Sequence, residues 1–380
     1  MARRIEVTGA GGVRLAAWEF GDPPKGEPAG LVPEQPPPLG TARQTGRPTA
    51  RERPPGRAVP PGPTLRVVSQ RDHGDPADDE PRGVPGSPGG PGSHGGPGGP
   101  ATSDGPRTSK TPDRPVAPAA QDTPGVLLLH GLMGRASHWA STARWLSGRF
   151  RAVALDQRGH GQSDRPADGT YTRDAYVEDA EAAIEQLGLG PAVLVGHAMG
   201  ALTAWQLAAK RPDLVSGLII LDMRASALGA ASQREWADWF RAWPVPFATL
   251  ADVRKWFGED DPWVERPHRA RGEFYAEVMR EEQDGWHPVF DPEQMLSSRE
   301  AWVLDAHWEE LAQVRCPSLV VRGLDGELGR AEAQEMVRVL PRGQYAEVSD
   351  AGHLVHYDQP EGWLTAIEPF LDQILTDLTT

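Results

Sequence analysis

Cysteine is almost missing from this chain: among 380 residues only Cys316 is one, so no internal disulfide can form. Cys316 stands beside Pro317, just ahead of an apolar run, and nothing around it marks a lowered thiol pKa. It reads as a small packed residue rather than a nucleophile. No run approaches the roughly 18 apolar residues of a membrane span. The start, Met1-Ala2-Arg3-Arg4, has two arginines and no apolar leader segment. A soluble cytoplasmic protein is the default expectation. Positive charge is in deficit, with 39 Lys and Arg against 53 Asp and Glu and a net charge of −14. That balance argues against nucleic acid or an anionic membrane as partner. Ligand-type residues at recognisable metal spacing are absent, so neither a metal nor another cofactor is expected.

Residues 23–120 lack Phe, Tyr and Trp altogether, yet hold 24 of the 38 prolines and 17 of the 43 glycines. Such a segment buries too little apolar surface to offset its ordering entropy, which predicts a disordered insertion rather than a second domain. Strand-like stretches flank it, Arg3 to Thr8 and Val13 to Glu19 before and Val126 to Leu129 after. It therefore interrupts a sheet between its second and third strands, on the face away from the loop that follows the third. Without it the remaining chain carries a net −16. The spacing Pro33-Glu34-Gln35-Pro36 suits a polyproline-binding module, but in so biased a tract it arises by chance.

One further absence sits inside a motif. Gly196-His197-Ala198-Met199-Gly200 follows a strand-like run, Ala192 to Val195, and precedes a helix-forming run, Ala201 to Lys210. This is the strand-turn-helix context of the G-x-S-x-G nucleophile elbow, with alanine where serine should stand. The two glycines permit close strand-helix approach, while the central residue takes a strained positive φ. Around that gap the other parts of an acyl-transfer site fall into place. Val126 to Leu129 opens into His130-Gly131-Leu132-Met133-Gly134, a loop able to aim amides at an oxyanion, and Leu132 with Met199 form the expected pair. Ser318 to Val321 precedes Arg322-Gly323-Leu324-Asp325-Gly326, which makes Asp325 the expected orienting acid. Asp222, at the end of the sixth strand, is the alternative and Glu327 a weaker third. Tyr345 to Val348 precedes Asp350-Ala351-Gly352-His353, and His353 is the expected general base.

Elbow, acid and histidine in this order resemble the α/β-hydrolase superfamily of esterases, lactonases, C–C bond hydrolases, epoxide hydrolases and haloperoxidase-like proteins. The likeness extends to Asp156-Gln157-Arg158-Gly159-His160-Gly161 after the fourth strand and covers nearly all of the chain outside 23–120. It implies an α/β fold, with a mostly parallel sheet, helices on both faces and a helical cap after the sixth strand. The implied partition is 1–22, 121–223 and 316–380 for the core and 224–315 for the cap. Trp139 matches a pocket-side aromatic of the family, which makes it the expected substrate-binding residue. His197 is expected to pack, and His356 to lie in local packing or at the surface. Ser137 and Ser163 sit on no sharp elbow and are not substitute nucleophiles.

Eight of the thirteen tryptophans fall in the cap segment. Most should be its own core, with some at the pocket entrance, which points to a small hydrophobic or aromatic ligand. Three readings of Ala198 remain open. A methyl cannot attack a carbonyl, so one reading is a serine-hydrolase lineage with impaired hydrolysis of an ester-like or carbonyl substrate. It can also be read as a non-covalent His-Asp dyad enzyme of the cofactor-free oxygenase, lyase or cyclase type, or as a small-molecule-binding pseudoenzyme.

Overall fold

The computed structural model of the chain describes residues 2–21 and 123–379. The insertion expected at 23–120 lies outside the described residues. Ten strands are present among the described residues: β1 (Ala2–Thr8), β2 (Arg14–Phe20), β3 (Gly125–Leu129), β4 (Arg151–Asp156), β5 (Ala192–His197), β6 (Val215–Leu221), β7 (Met279–Glu282), β8 (Gly285–Pro288), β9 (Ser318–Gly323) and β10 (Gly343–Val348). Eight form one sheet in the order β1-β2-β4-β3-β5-β6-β9-β10, and β7 and β8 form a separate antiparallel hairpin. The β1–β2 and β2–β4 pairs are antiparallel, and every other pair in the large sheet is parallel.

The central strands are runs of Val, Leu and Ile because a parallel sheet is covered on both faces. Alternation sorts each run between two cores. Leu127, Leu129, Leu194, Leu218 and Ile220 belong to one cluster, and Val126, Leu128, Val193, Val195, Ile219 and Leu221 to the other. Helices α2 (Arg173–Leu187) and α3 (Met199–Lys210) cover the first face, while α1 (Ala140–Leu146) and the C-terminal α11 (Pro360–Thr379) cover the second. A sheet of this size places the C-terminal ends of its parallel strands along one edge, so the loops after β3, β5, β6, β9 and β10 converge there.

Between β6 and β9 lies the cap: α4 (Gly229–Ala242), α5 (Leu250–Lys255), α6 (Arg269–Ala276), the β7–β8 hairpin, α7 (Pro292–Val303) and α8 (Trp308–Ala312). After β9 come α9 (Arg330–Val339) and, beyond β10, the short α10 (Val355–Asp358). Inside the cap, Trp239 stacks on Trp263 at 4.6 Å and meets Trp243 edge-on at 4.9 Å. Phe257 stacks on Tyr275 at 4.1 Å. Trp239, Trp243 and Phe257 are buried, so this aromatic block is chiefly the cap's own core. Among the described residues no helix is long and apolar enough to cross a membrane.

Candidate active site

The turn from β5 into α3 is built as the sequence pattern requires. Ala198 has φ 47° and ψ −121°, a conformation a Cβ-bearing residue adopts only at a cost of about 1–3 kcal/mol. Its N–H donates to the Leu221 carbonyl at 3.0 Å, and its own carbonyl accepts from the Ala201 N–H at 2.8 Å. Both flanking glycines are obligatory on spatial grounds. A Cβ on Gly196 would lie 2.4 Å from the Ala201 backbone, and one on Gly200 would lie 2.3 Å from the Leu129 carbonyl oxygen. Met199 is the first residue of α3, so its N–H belongs to the donors no helical carbonyl accepts. The loop after β3 crosses beside the elbow, since a Cβ on Gly131 would stand 3.2 Å from the Ala198 methyl. Leu132, next in that loop, is buried, and Met133 has a φ of 63° with its N–H donating to His160 Nε2 at 3.1 Å.

His353 follows β10, and its Nδ1 lies 2.8 Å from Asp222 Oδ2. The orienting acid is therefore Asp222, and the expectation for Asp325 is corrected. Strand β6 borders β9, so Asp222, donating its N–H to the Val321 carbonyl, comes up beneath the histidine loop. The loop after β9 contributes amides instead of a carboxylate: the Glu327 N–H donates to Asp222 at 2.9 Å and the Leu328 N–H at 3.4 Å. Gly326 makes this possible, since a Cβ there would lie 2.4 Å from Asp222 Oδ1. Asp325 itself is exposed and uses its N–H on the Ala351 carbonyl.

Asp222 is buried, whereas the His353 side chain remains 30% exposed. Burial alone would push the His353 pKa down. The Glu327 carboxylate, the hydrogen bond to Asp222 and the Asp222 charge outweigh it and hold the imidazole at about 9. His353 is thus an imidazolium at neutral pH. His197, buried behind it, is the opposite case, with burial and the charge of His353 holding its pKa well below the ordinary value. It is neutral, and its Nε2 donates to the His353 carbonyl at 2.9 Å, which ties the elbow to the histidine loop.

Trp139 is also corrected. It ends a tight turn, Ala136–Trp139, that points the indole inward. The ring is fully buried in the core beneath α1 and α11, stacked on His356 at 4.4 Å and set against Trp363. It packs and lines no entrance. His356, held neutral by burial at a pKa of about 3, is its packing partner. Glu277, after α6, was not foreseen from sequence. It accepts from Ser137 Oγ at 2.5 Å and from the Tyr357 hydroxyl, while its carbonyl accepts from Arg135 at 2.8 Å. The cap is thereby fastened to the loop after β3 and to α10 beyond the histidine loop. Cys316 is half-buried, its thiol pushed up to about 11 by burial.

Two other features of the cap stand apart from the His353–Asp222 pair. A cleft of about 320 Å³ is lined by Phe240, Trp243, His287 and Phe290, and by none of the elbow or histidine-loop residues. Glu282, Asp284 and His287 cluster on the exposed hairpin with ligand atoms within 4.8 Å of one another, and His287 is already bonded to Asp284 at 2.8 Å. That cluster has metal-ligating residue types, but His287 is already paired with Asp284 and Glu282 with Arg280.

A mostly parallel sheet with an elbow, an amide-bearing loop, and a histidine held by an acid is the architecture of one family. The chain belongs to the α/β-hydrolase fold family, whose model matches residues 124–360. It is similar to the 2-(acetamidomethylene)succinate hydrolase of Mesorhizobium japonicum, 30% identical over 66% of this chain and 88% of that protein. A mouse sn-1-specific diacylglycerol lipase is 28% identical over 65% of this chain and 81% of that one. A crystal structure of an E-2-(acetamidomethylene)succinate hydrolase superposes with a TM-score of 0.58 at 28% identity, covering 66% of this chain and 92% of that one.

Proposed function

We propose that this chain binds a small ester-like or otherwise carbonyl-containing ligand at the elbow, beneath the cap, with covalent hydrolysis closed by Ala198. One observation carries the reading: Ala198 keeps the strained φ of 47° and its partial exposure beside an intact His353–Asp222 pair. A strained turn beside a histidine held by an acid is the arrangement a serine nucleophile would use, which supports the reading. The backbone amides of Leu132 and Met199 are the proposed oxyanion donors. The relatives are hydrolases by name, which supports the class and leaves the ligand's identity to the cap. The apolar ring content of that cap favours a hydrophobic or aromatic portion on the ligand.

The test is a serine-directed fluorophosphonate and a set of chromogenic esters applied to the chain and to Ala198→Ser. Labelling and hydrolysis should appear with serine as pH approaches 9, where His353 gives up its proton and can act as base, the rates exceeding those of the alanine chain by on the order of 10³-fold or more. Silence in both proteins would overturn the reading.

One observation favours a second reading. With a pKa near 9, His353 is a proton donor at neutral pH and could protonate a bound ligand without any covalent step. In that case His353→Ala abolishes a turnover that Ala198→Ser leaves unchanged.

A further inference from the structure

Three arginines are buried among the described residues, and they are not treated alike. Arg158 meets Asp179 through two hydrogen bonds of 2.7 and 2.8 Å, and Arg322 meets Glu347 at 3.0 Å. Arg299, on α7 of the cap and only 1% exposed, has no carboxylate within 4.0 Å among the described residues. Its Nη1 donates to the Gln233 amide oxygen at 2.8 Å and its Nη2 to Ser232 Oγ at 2.6 Å, both neutral acceptors. Its Nε has no partner at all. A guanidinium offers five N–H donors, so three remain unused, including the Nε edge that matches a carboxylate's two oxygens. The rings of Trp236 and Trp302 cover it at 4.7 and 5.5 Å, which leaves the plane's edge as the only approach for an acceptor.

The helix that carries this cation reaches the site through its neighbour. The preceding residue, Ser298, touches Met199 Sδ of the elbow at 3.5 Å and shares a hydrogen bond of 2.8 Å with the Tyr176 hydroxyl. The exposed Glu327 carboxylate acts electrostatically on both Arg299 and His353, so it stands near the two cations without bonding to either. An unpaired buried charge is expensive, and a well-packed apolar residue of similar volume would serve the cap's stability as well or better. We infer that Arg299 is the anion-binding residue of the ligand site, and that the ligand carries a carboxylate in addition to its carbonyl group. The inference rests on the ligand site proposed above and specifies its chemistry. Binding a carboxylate there would displace the influence of Glu327 and complete the donor set of the guanidinium in a dry, ring-walled setting.

The test uses the chain as it stands, which cannot turn an ester over through Ala198 and so reports binding alone. Acetate, succinate and phenylacetate are each titrated by calorimetry against the corresponding neutral amide, with the chain and with Arg299→Met and Arg299→Lys. At least one carboxylate should bind saturably and more tightly than its amide. Arg299→Met should weaken that carboxylate by about 10- to 100-fold while leaving amide binding within about threefold, because a charged hydrogen bond is lost and nothing else. Arg299→Lys, which keeps the charge without the fork, should fall between the two. Melting in the absence of ligand is the structural control: Arg299→Met should match or exceed the starting chain. No carboxylate preference, or one unchanged in Arg299→Met and Arg299→Lys, overturns the inference. So does destabilisation by both variants with carboxylate affinity intact. If the preference appears while Ala198→Ser stays unlabelled, the anion site stands and the hydrolase reading fails.

Discussion

Charge is handled in two ways around this site. On the sheet side, Arg158 is closed by Asp179, and His353 by Asp222, which in turn is held by two backbone amides. On the cap side, Arg299 is as buried as Arg158 and has only neutral acceptors. Paired charges fix loops relative to the sheet, and mutual attraction and hydrogen bonds offset at least part of their desolvation cost. An unpaired one keeps its cost until something binds. The His353–Asp222 pair is thus complete without a ligand, whereas Arg299, on the inference drawn above, is completed only by one; the division is between these two groups, since Arg173 of α2 also has only the neutral acceptors Gln206 and Thr203 and the cap pairs its buried Asp261 with Arg271.

The sharpest way to break the comparison is to remove the acid from the sheet side. In an Ala198→Ser background, Asp222→Asn should leave the imidazole in place but free to take the wrong tautomer. The cost in kcat expected for such a change is about 10⁴-fold. Asp325→Asn in the same background should change kcat by less than about threefold, since Asp325 is exposed and reaches no histidine. Steady-state ester hydrolysis by the two variants decides between the carboxylates, and equal losses would mean that Asp222 is not the partner of His353.

The pH dependence of stability separates the two sides next. The folded His353 pKa is raised to about 9 from an ordinary 6.5. Below about pH 6.5 the imidazole is protonated in folded and unfolded chains alike, and the interaction with Asp222 and Glu327 contributes fully. As pH rises through 9 the folded state loses the proton and the contribution disappears. After allowance for its partial exposure, the loss should be on the order of 2 kcal/mol. Urea unfolding at pH 6, 8 and 10 should therefore show the chain losing stability relative to His353→Gln over that range. Glu327→Gln should shift the loss to lower pH. A pH-independent difference between the chain and His353→Gln would show that the pair is not charged as described. Arg299→Met should show no such dependence between pH 6 and 8, because burial lowers the Arg299 guanidinium only to about 10 and it keeps its proton over that range.

Much of the sheet side was legible from sequence because its motifs encode backbone necessities. Gly196 and Gly200 can be nothing larger, and a histidine three residues beyond a strand-end turn has few places to go. The choice of acid was not legible in the same way. Asp222 and Asp325 both follow buried strands, and the difference is that the loop carrying Asp325 turns its amides, not its carboxylate, toward the site. That depends on the β6–β9 border, which no local pattern states. Trp139 failed for a related reason, since one tight turn decides whether an indole faces the pocket or the core. Arg299 lies in Ser297-Ser298-Arg299-Glu300, a polar stretch that reads as the solvent face of a helix. Only the docking of α4 through Ser232, Gln233 and Trp236 buries it. The sheet side is written in local constraints, and the cap side in contacts between helices far apart in sequence.

The smallest expected effect concerns the elbow itself. Ala198 bears a backbone strain of about 1–3 kcal/mol that serine catalysis would justify and that a methyl does not use. Glycine occupies positive φ without that penalty but adds freedom to the unfolded chain, worth about 0.4–1 kcal/mol against it. Ala198→Gly should therefore be more stable by about 1 kcal/mol in urea unfolding, and Ala198→Ser should match the starting chain. A less stable glycine variant would mean that the Ala198 methyl contributes packing worth more than the strain it causes. In that case the alanine is held in place by contacts such as that with the loop at Gly131, where an added Cβ would stand 3.2 Å from its methyl. Stabilisation by glycine would instead show that the elbow keeps its strained geometry without help from its own side chain, because the close approach of Gly196 and Gly200 to neighbouring backbone leaves the turn no alternative path.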